Sequence, residues 1–271
     1  VAQAAVAGRC LGTVGGLGVA AQEADKGAAA PTLLDEGGQH KVGGTRTAEL
    51  TLPGFRHDVC SAIHPLGLAS PALRNLDLER VGVEWVHPDA PLAHALRPGH
   101  SVLQERSLAA TAVNLGVDGR PWERLFGPSV RSGLDLVDSL LDPLALPPRH
   151  PLLLARYGLD GIWSASALGR RRFKGDDGAA LLAGMAAHSM LSLDAPITAG
   201  FGMLLGQLAH VVGWPMARGG SQAIADGLVA LLAEHGGELR CGEDISSLDQ
   251  LPPARAVICD VTPRQLIDLA G

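Results

Sequence analysis

Gly15 and Gly18 stand three residues apart near the start of the chain, with the spacing of the second and third glycines of a GxGxxG turn. Glu36 follows eighteen residues after Gly18, and Gly43-Gly44 lies seven and eight residues beyond Glu36. A dinucleotide site needs this set of residue types. A tight glycine turn lets backbone N–H groups and a helix N-terminus face a pyrophosphate, and an acid at the end of the second strand accepts hydrogen bonds from ribose hydroxyls. The position two before Gly15 is Thr13 rather than glycine, although Gly12 is adjacent, and the preceding Ala7-Gly-Arg-Cys-Leu-Gly12 replaces the usual Val/Ile run.

Other chemistries fare worse. The histidines, among them His57, His64, His87, His94, His188 and His210, lack HxxxH or HExxH spacing, and Cys10, Cys60, Cys241 and Cys259 lie far apart with no CxxC, so no metal site is expected. Gly219-Gly-Ser-Gln-Ala223 is a poor nucleophile elbow because no apolar strand leads into it, and Ser221 reads instead as a helix N-cap. A Tyr-x-x-x-Lys dehydrogenase pair is excluded, because Gly161 sits four residues after Tyr157, the single tyrosine. Asp176-Asp177 reads as a charge pair at a helix N-terminus rather than a cation site.

Elements must position these residues. The segment Pro31-Thr-Leu-Leu34 reads as a short buried strand ending at Asp35-Glu36, and residues 45–59 as paired strands about the Pro53-Gly54 turn, with a further strand over 81–86. From about residue 104 to 212 the periodicity is helical, with helices expected over 121–141, 160–172, 177–190 and 196–212. After Gly213 a helix capped by Ser221 carries the apolar stripe Ile224, Leu228, Leu231 and Leu232 and ends at Gly236-Gly237. Strands at 238–241 and 254–260 follow, the latter with the run of a buried parallel strand, and then a helix from Pro263. The order α/β, α, α/β predicts an α/β nucleotide-binding domain interrupted by a mainly helical one, with boundaries at 1–80, 81–212 and 213–271.

Composition agrees. The 271 residues are 46% hydrophobic and 18% charged, which provides for a sizeable core and excludes general disorder. A net charge of −6 and 3% aromatics argue against nucleic acid as a partner. The stretch 191–212 comes closest to a membrane span, but Asp194, Pro196, Gln207 and His210 interrupt it, leaving a peripheral lipid contact as the expected limit. With no basic-apolar secretory start, the cytoplasm is the expected compartment.

The segment Val42-Gly-Gly-Thr-Arg-Thr-Ala-Glu-Leu-Thr-Leu-Pro-Gly-Phe-Arg-His-Asp-Val59 resembles the region after the ribose-binding acid in phytoene desaturase-like FAD-dependent oxidoreductases. The segment Ala217-Arg-Gly-Gly-Ser-Gln-Ala-Ile-Ala-Asp-Gly-Leu-Val-Ala-Leu-Leu-Ala-Glu-His-Gly-Gly-Glu-Leu-Arg240 resembles the stretch where that family's chain returns to its FAD domain, and 254–269 its next strand and helix. The resemblance spans residues 31–271 and is partial over 1–30. It implies a Rossmann-type FAD-binding domain with a helical substrate-binding domain, and hydride transfer between a C–C bond of an apolar small molecule and flavin. It also implies that Gly15 and Gly18 face the pyrophosphate, that Glu36 binds the adenosine ribose, that Gly43, Gly44 and Arg46 line the pyrophosphate side, and that Ile245 falls near the adenine. No side chain is implied as a catalytic acid or base. Glu36 suits NAD as well as FAD, and the Gly43-Gly44 turn favours FAD. Members of the family continue through a further Gly-rich FAD segment, so the alternative is a truncated, inactive member acting as a binding or oligomeric module.

Overall fold

The structure is a computed structural model that describes residues 18–23, 31–35, 45–143, 145–241 and 245–271. It is mixed α/β and rich in helix. In chain order the strands are β1 (Gly18–Glu23), β2 (Pro31–Asp35), β3 (Thr47–Glu49), β4 (Arg56–Asp58), β5 (Trp85–Val86), β6 (Leu92–Arg97), β7 (His100–Gln104), β8 (Met216–Ala217), β9 (Glu238–Cys241) and β10 (Ala254–Asp260). The helices are α1 (Pro65–Ala69), α2 (Pro71–Arg74), α3 (Leu108–Asn114), α4 (Gly119–Arg131), α5 (Asp135–Leu141), α6 (Pro151–Gly161), α7 (Ala165–Arg172), α8 (Asp176–Ala186), α9 (Thr198–Val211), α10 (Gln222–Glu234) and α11 (Pro263–Ala270).

The chain divides into two compact units. One comprises Val1–Ile63, Asp77–Val86 and Met216–Gly271, the other His64–Leu76 and His87–Pro215. Residues 64–76 thus belong with the helical unit and residues 77–86 with the sheet-bearing one.

The sheet-bearing unit holds a four-stranded sheet of order β10-β1-β2-β9. β2 and β9 run parallel, in the register Thr32↔Glu238 to Asp35↔Cys241. β1 runs antiparallel to both β2 and β10. The expected buried parallel strand at 254–260 is therefore an antiparallel edge strand, and Val257 and Ile258 are exposed on it. β3 and β4 form the expected hairpin, which turns at Gly54 with a positive φ of 84°. Of the strand expected over 81–86, only Trp85 and Val86 pair, with β8.

Helix α10 ends as its sequence predicts. The Gly236 N–H donates to the Ala233 carbonyl and the Gly237 N–H to that of Leu232, with Gly236 in the left-handed region. Its buried Ile224, Leu228 and Leu231 form the core stripe, and Gly227 lets it pack closely, since a Cβ there would stand 2.7 Å from Val83 Cγ2. Residues 77–86 are tied to the returning segment by Arg80 with Glu234 and by Arg218 with Glu84.

The helical unit is built around α9. Its core joins Trp122 and Phe126 of α4, Leu168 of α7, Leu181, Leu182 and Met185 of α8, and Met203 of α9. The helix expected over 121–141 is two helices, α4 and α5, because Gly133 takes φ 58° between them. Pro128 lies inside α4 and removes one helical N–H. Buried Gln207 of α9 compensates the end of that helix by donating to the carbonyls of Gly133 (2.6 Å) and Ser129 (3.4 Å). The β6–β7 hairpin, which turns at Gly99, has no counterpart in the sequence reading.

Candidate functional site

Four of the residues singled out for dinucleotide binding, Gly15, Glu36, Gly43 and Gly44, lie outside the described residues. Gly18 is the first residue of β1, paired with Asp35 of β2 and Asp260 of β10. Its backbone is thus extended, where the sequence reading has the turn that opens a helix. Ile245 is buried and packs with Leu269, together with Leu248, Leu251 and Val261.

Arg46 immediately precedes β3. Its carbonyl accepts from the Val59 N–H at 2.8 Å, which anchors the backbone beside β4. Its side chain is half-buried, and Nε is fully covered with no hydrogen-bond partner among the described residues. A buried guanidinium N–H without an acceptor costs free energy unless an acceptor arrives, and a phosphate oxygen is the acceptor that suits a guanidinium best.

Next to Arg46 the hairpin grips the start of α10. Thr47 Oγ1 donates to Asp58 Oδ1 at 2.7 Å and accepts from the Gln222 N–H at 3.0 Å. Asp58 Oδ1 also accepts from the Ser221 N–H at 2.7 Å. The Ser221 hydroxyl does not cap the helix as expected. It donates to the Ser61 carbonyl, and the capping oxygens come from Thr47 and Asp58, more than 160 residues upstream. Spacing carries no sign of such a cap, since it depends on two segments far apart in sequence.

Gly219 and Gly220 take φ of 81° and 107° just before the helix, and a Cβ on Gly220 would clash with Thr47 Oγ1. Glycine is therefore required at 220 both by conformation and by contact. With the Ser221 and Gln222 N–H groups already taken by side chains, the start of α10 is a structural junction. Arg46 Nε remains as the donor in need of an acceptor.

In the helical unit several titratable groups serve the fold. Asp118 is fully buried and accepts from the backbone N–H groups of Lys174 (2.8 Å), Gly175 (2.9 Å) and Gly178 (3.2 Å), closing the N-terminus of α8. Asp176 and Asp177 stand in the first turn of that helix, as expected, and Asp177 pairs with His100 at 2.8 Å. Tyr157 donates its hydroxyl to the Gly200 carbonyl at 2.7 Å, and burial pushes its pKa up. Burial lowers the pKa of His210, His94 and His87, which favours their neutral forms. Among the described residues no group of three or more His, Cys, Asp or Glu could hold a metal ion, and no helix is long and apolar enough to cross a membrane.

No family model and no curated protein matches the chain.

Proposed function

We propose that the chain is an FAD-dependent oxidoreductase of the phytoene desaturase-like type, transferring hydride between a C–C bond of an apolar small molecule and flavin. In this reading the sheet-bearing unit is a Rossmann-type FAD-binding domain and the helical unit binds the substrate. The observation that supports it best is the parallel pairing of β2 with β9. Parallel neighbours require a crossover connection. Here the chain leaves β2, passes through the helical unit, and returns through α10 into the strand beside β2. A nucleotide-binding domain interrupted by a second domain follows this path.

Arg46 fits the cofactor chemically, because its covered Nε–H has no acceptor among the described residues and a pyrophosphate oxygen would supply one. Glu36, directly after the last residue of β2, would accept the ribose hydroxyls, and the backbone of Gly15, Gly43 and Gly44 would approach the pyrophosphate. FAD, when bound, supplies the hydride chemistry, and the work of these residues is to bind and orient. No acid or base is assigned.

The antiparallel course of β1 favours a second reading, a non-catalytic family member that serves as a binding or oligomeric module. Gly18 lies there in a strand rather than in a phosphate-binding turn. The two readings separate in one experiment. The purified chain is incubated with FAD, freed of unbound flavin by gel filtration, and its visible spectrum recorded. Retained flavin absorbance supports the oxidoreductase. A colourless protein supports the second reading, and saturable NAD binding without FAD binding would replace the cofactor.

A further inference from the structure

Helix α4 carries an uncompensated row of cations. Arg120, Arg124 and Arg131 stand at i, i+4 and i+11, which places them on one face of the helix. Like charges one turn apart repel and weaken a helix. Arg156 of α6 joins them, and the four line a groove of about 440 Å³ whose one acid is Glu123. Among the described residues none of the four guanidinium groups forms an ion pair, whereas Arg74, Arg149 and Arg172 of the same unit are paired with Asp138, Asp142 and Asp160. Asp160 stands four residues after Arg156 on α6, within reach of it, yet binds Arg172 at 2.7 Å.

Two breaks in α4 shape this groove. Gly127 and Pro128 stand side by side inside the helix, where both residue types weaken it. Pro128 has no N–H, which leaves the Arg124 carbonyl without its helical donor, and Arg156 Nη2 reaches across from α6 to that carbonyl at 3.5 Å. Arg131 Nη1 lies over Gly127, 3.1 Å from where a Cβ would stand. The missing side chain at 127 thus lets Arg131 fold back along the helix toward Arg124, and the missing donor at 128 draws Arg156 to the same turn.

We propose that this groove binds the oligophosphate group of a small soluble molecule, either inorganic triphosphate or a nucleoside triphosphate. Four arginines and one glutamate leave a net of three positive charges, and an oligophosphate brings a comparable negative charge in a small volume. The planar guanidinium fork matches phosphate oxygens two at a time. The groove is concave, so its guanidinium groups converge on a compact ligand. The whole chain has a net charge of −6, so the surface outside the groove is more acidic still. That surface repels a nucleic-acid strand or an anionic bilayer, either of which would extend past the arginines.

The test is isothermal titration of the full chain, without flavin, with inorganic triphosphate and with ATP at two salt concentrations. The expected result is saturable binding that salt weakens, with the tighter probe identifying the carrier of the phosphates and orthophosphate binding about tenfold more weakly or worse. Arg124→Glu and Arg156→Glu should each weaken binding about tenfold or more. Arg156→Lys, which keeps the charge and loses the fork, should weaken it about threefold, and Glu123→Gln should strengthen it. Circular dichroism checks that each variant is folded, and Arg120→Glu, in the first turn of α4, replaces either reversal that is not. Arg46→Ala should bind triphosphate as the parent chain does, so this site and the proposed flavin site can each fail alone. Absence of saturable binding to both probes overturns the proposal, as does equal affinity in the parent and the two reversals. Binding lost in Arg46→Ala but kept in the groove variants would also overturn it. So would arginine-dependent sedimentation with phosphatidylserine vesicles that neither soluble probe competes away.

Discussion

Trp122 Nε1–H donates to His210 Nε2 at 3.1 Å in the core of the helical unit. His210 Nδ1 lies 3.2 Å from the Arg106 carbonyl, so the imidazole is neutral, with its proton on Nδ1 and its Nε2 lone pair turned to the indole. Protonating Nε2 would leave two donors facing each other in a buried site. Burial accordingly holds the His210 pKa below its ordinary value.

This relationship makes stability depend on pH. A histidine whose folded pKa is depressed contributes stability that is complete above its unfolded value, about 6.5, and declines as pH falls from there to the folded pKa. Thermal unfolding should therefore be level above that value and lose on the order of 1.4 kcal/mol per pH unit below it. His94, partly buried, is depressed in the same direction and adds to the slope. His210→Phe should flatten the slope while costing about 1–3 kcal/mol at neutral pH, because the Trp122 Nε1–H loses its acceptor.

Helix α9 packs closely where it lacks side chains. A Cβ on Gly206 would stand 2.5 Å from the Phe126 ring, so Gly206→Ala should destabilise the helical unit by about 1–3 kcal/mol. Gly158 in α6 has nothing within 4 Å of a built Cβ, and Gly158→Ala should stabilise by about 0.5–1 kcal/mol. Denaturant titration of the two variants checks both signs.

The start of α10 depends on the hairpin more than on its own serine. Asp58→Ala removes the acceptor of the Ser221 N–H and a partner of Thr47, and should cost about 1–2 kcal/mol. Ser221→Ala removes the bond to the Ser61 carbonyl but leaves both capping oxygens in place, and should cost less. Gly220→Ala should cost more than either, since its φ of 107° and its contact with Thr47 both oppose a side chain. Equilibrium unfolding should give the largest loss for Gly220→Ala, the next for Asp58→Ala and the smallest for Ser221→Ala.

Local chemistry made much of this legible in the sequence. The Pro53-Gly54 hairpin, the strand at Pro31 and the glycine end of α10 are each set by residues a few positions apart. So is the charge pair that opens α8. Relationships between distant segments were not legible. The Thr47–Asp58 cap joins residues on either side of the helical unit, and Asp118 closes a helix that begins 58 residues later. The apolar run at 254–260 signals a strand but not its direction, which is set by pairing with β1. Of the candidate cofactor residues, Arg46 emerges with a physical sign of its own, a covered donor lacking an acceptor among the described residues.

The flavin assignment is tested most directly by titrating FAD into the chain and into Arg46→Ala while following flavin fluorescence, with NAD as competitor. The predicted result is saturable binding that weakens about tenfold or more in the variant, whose folding stays intact, and that NAD does not displace. Failure of the chain to bind FAD, or equal affinity in the chain and the variant, would contradict it.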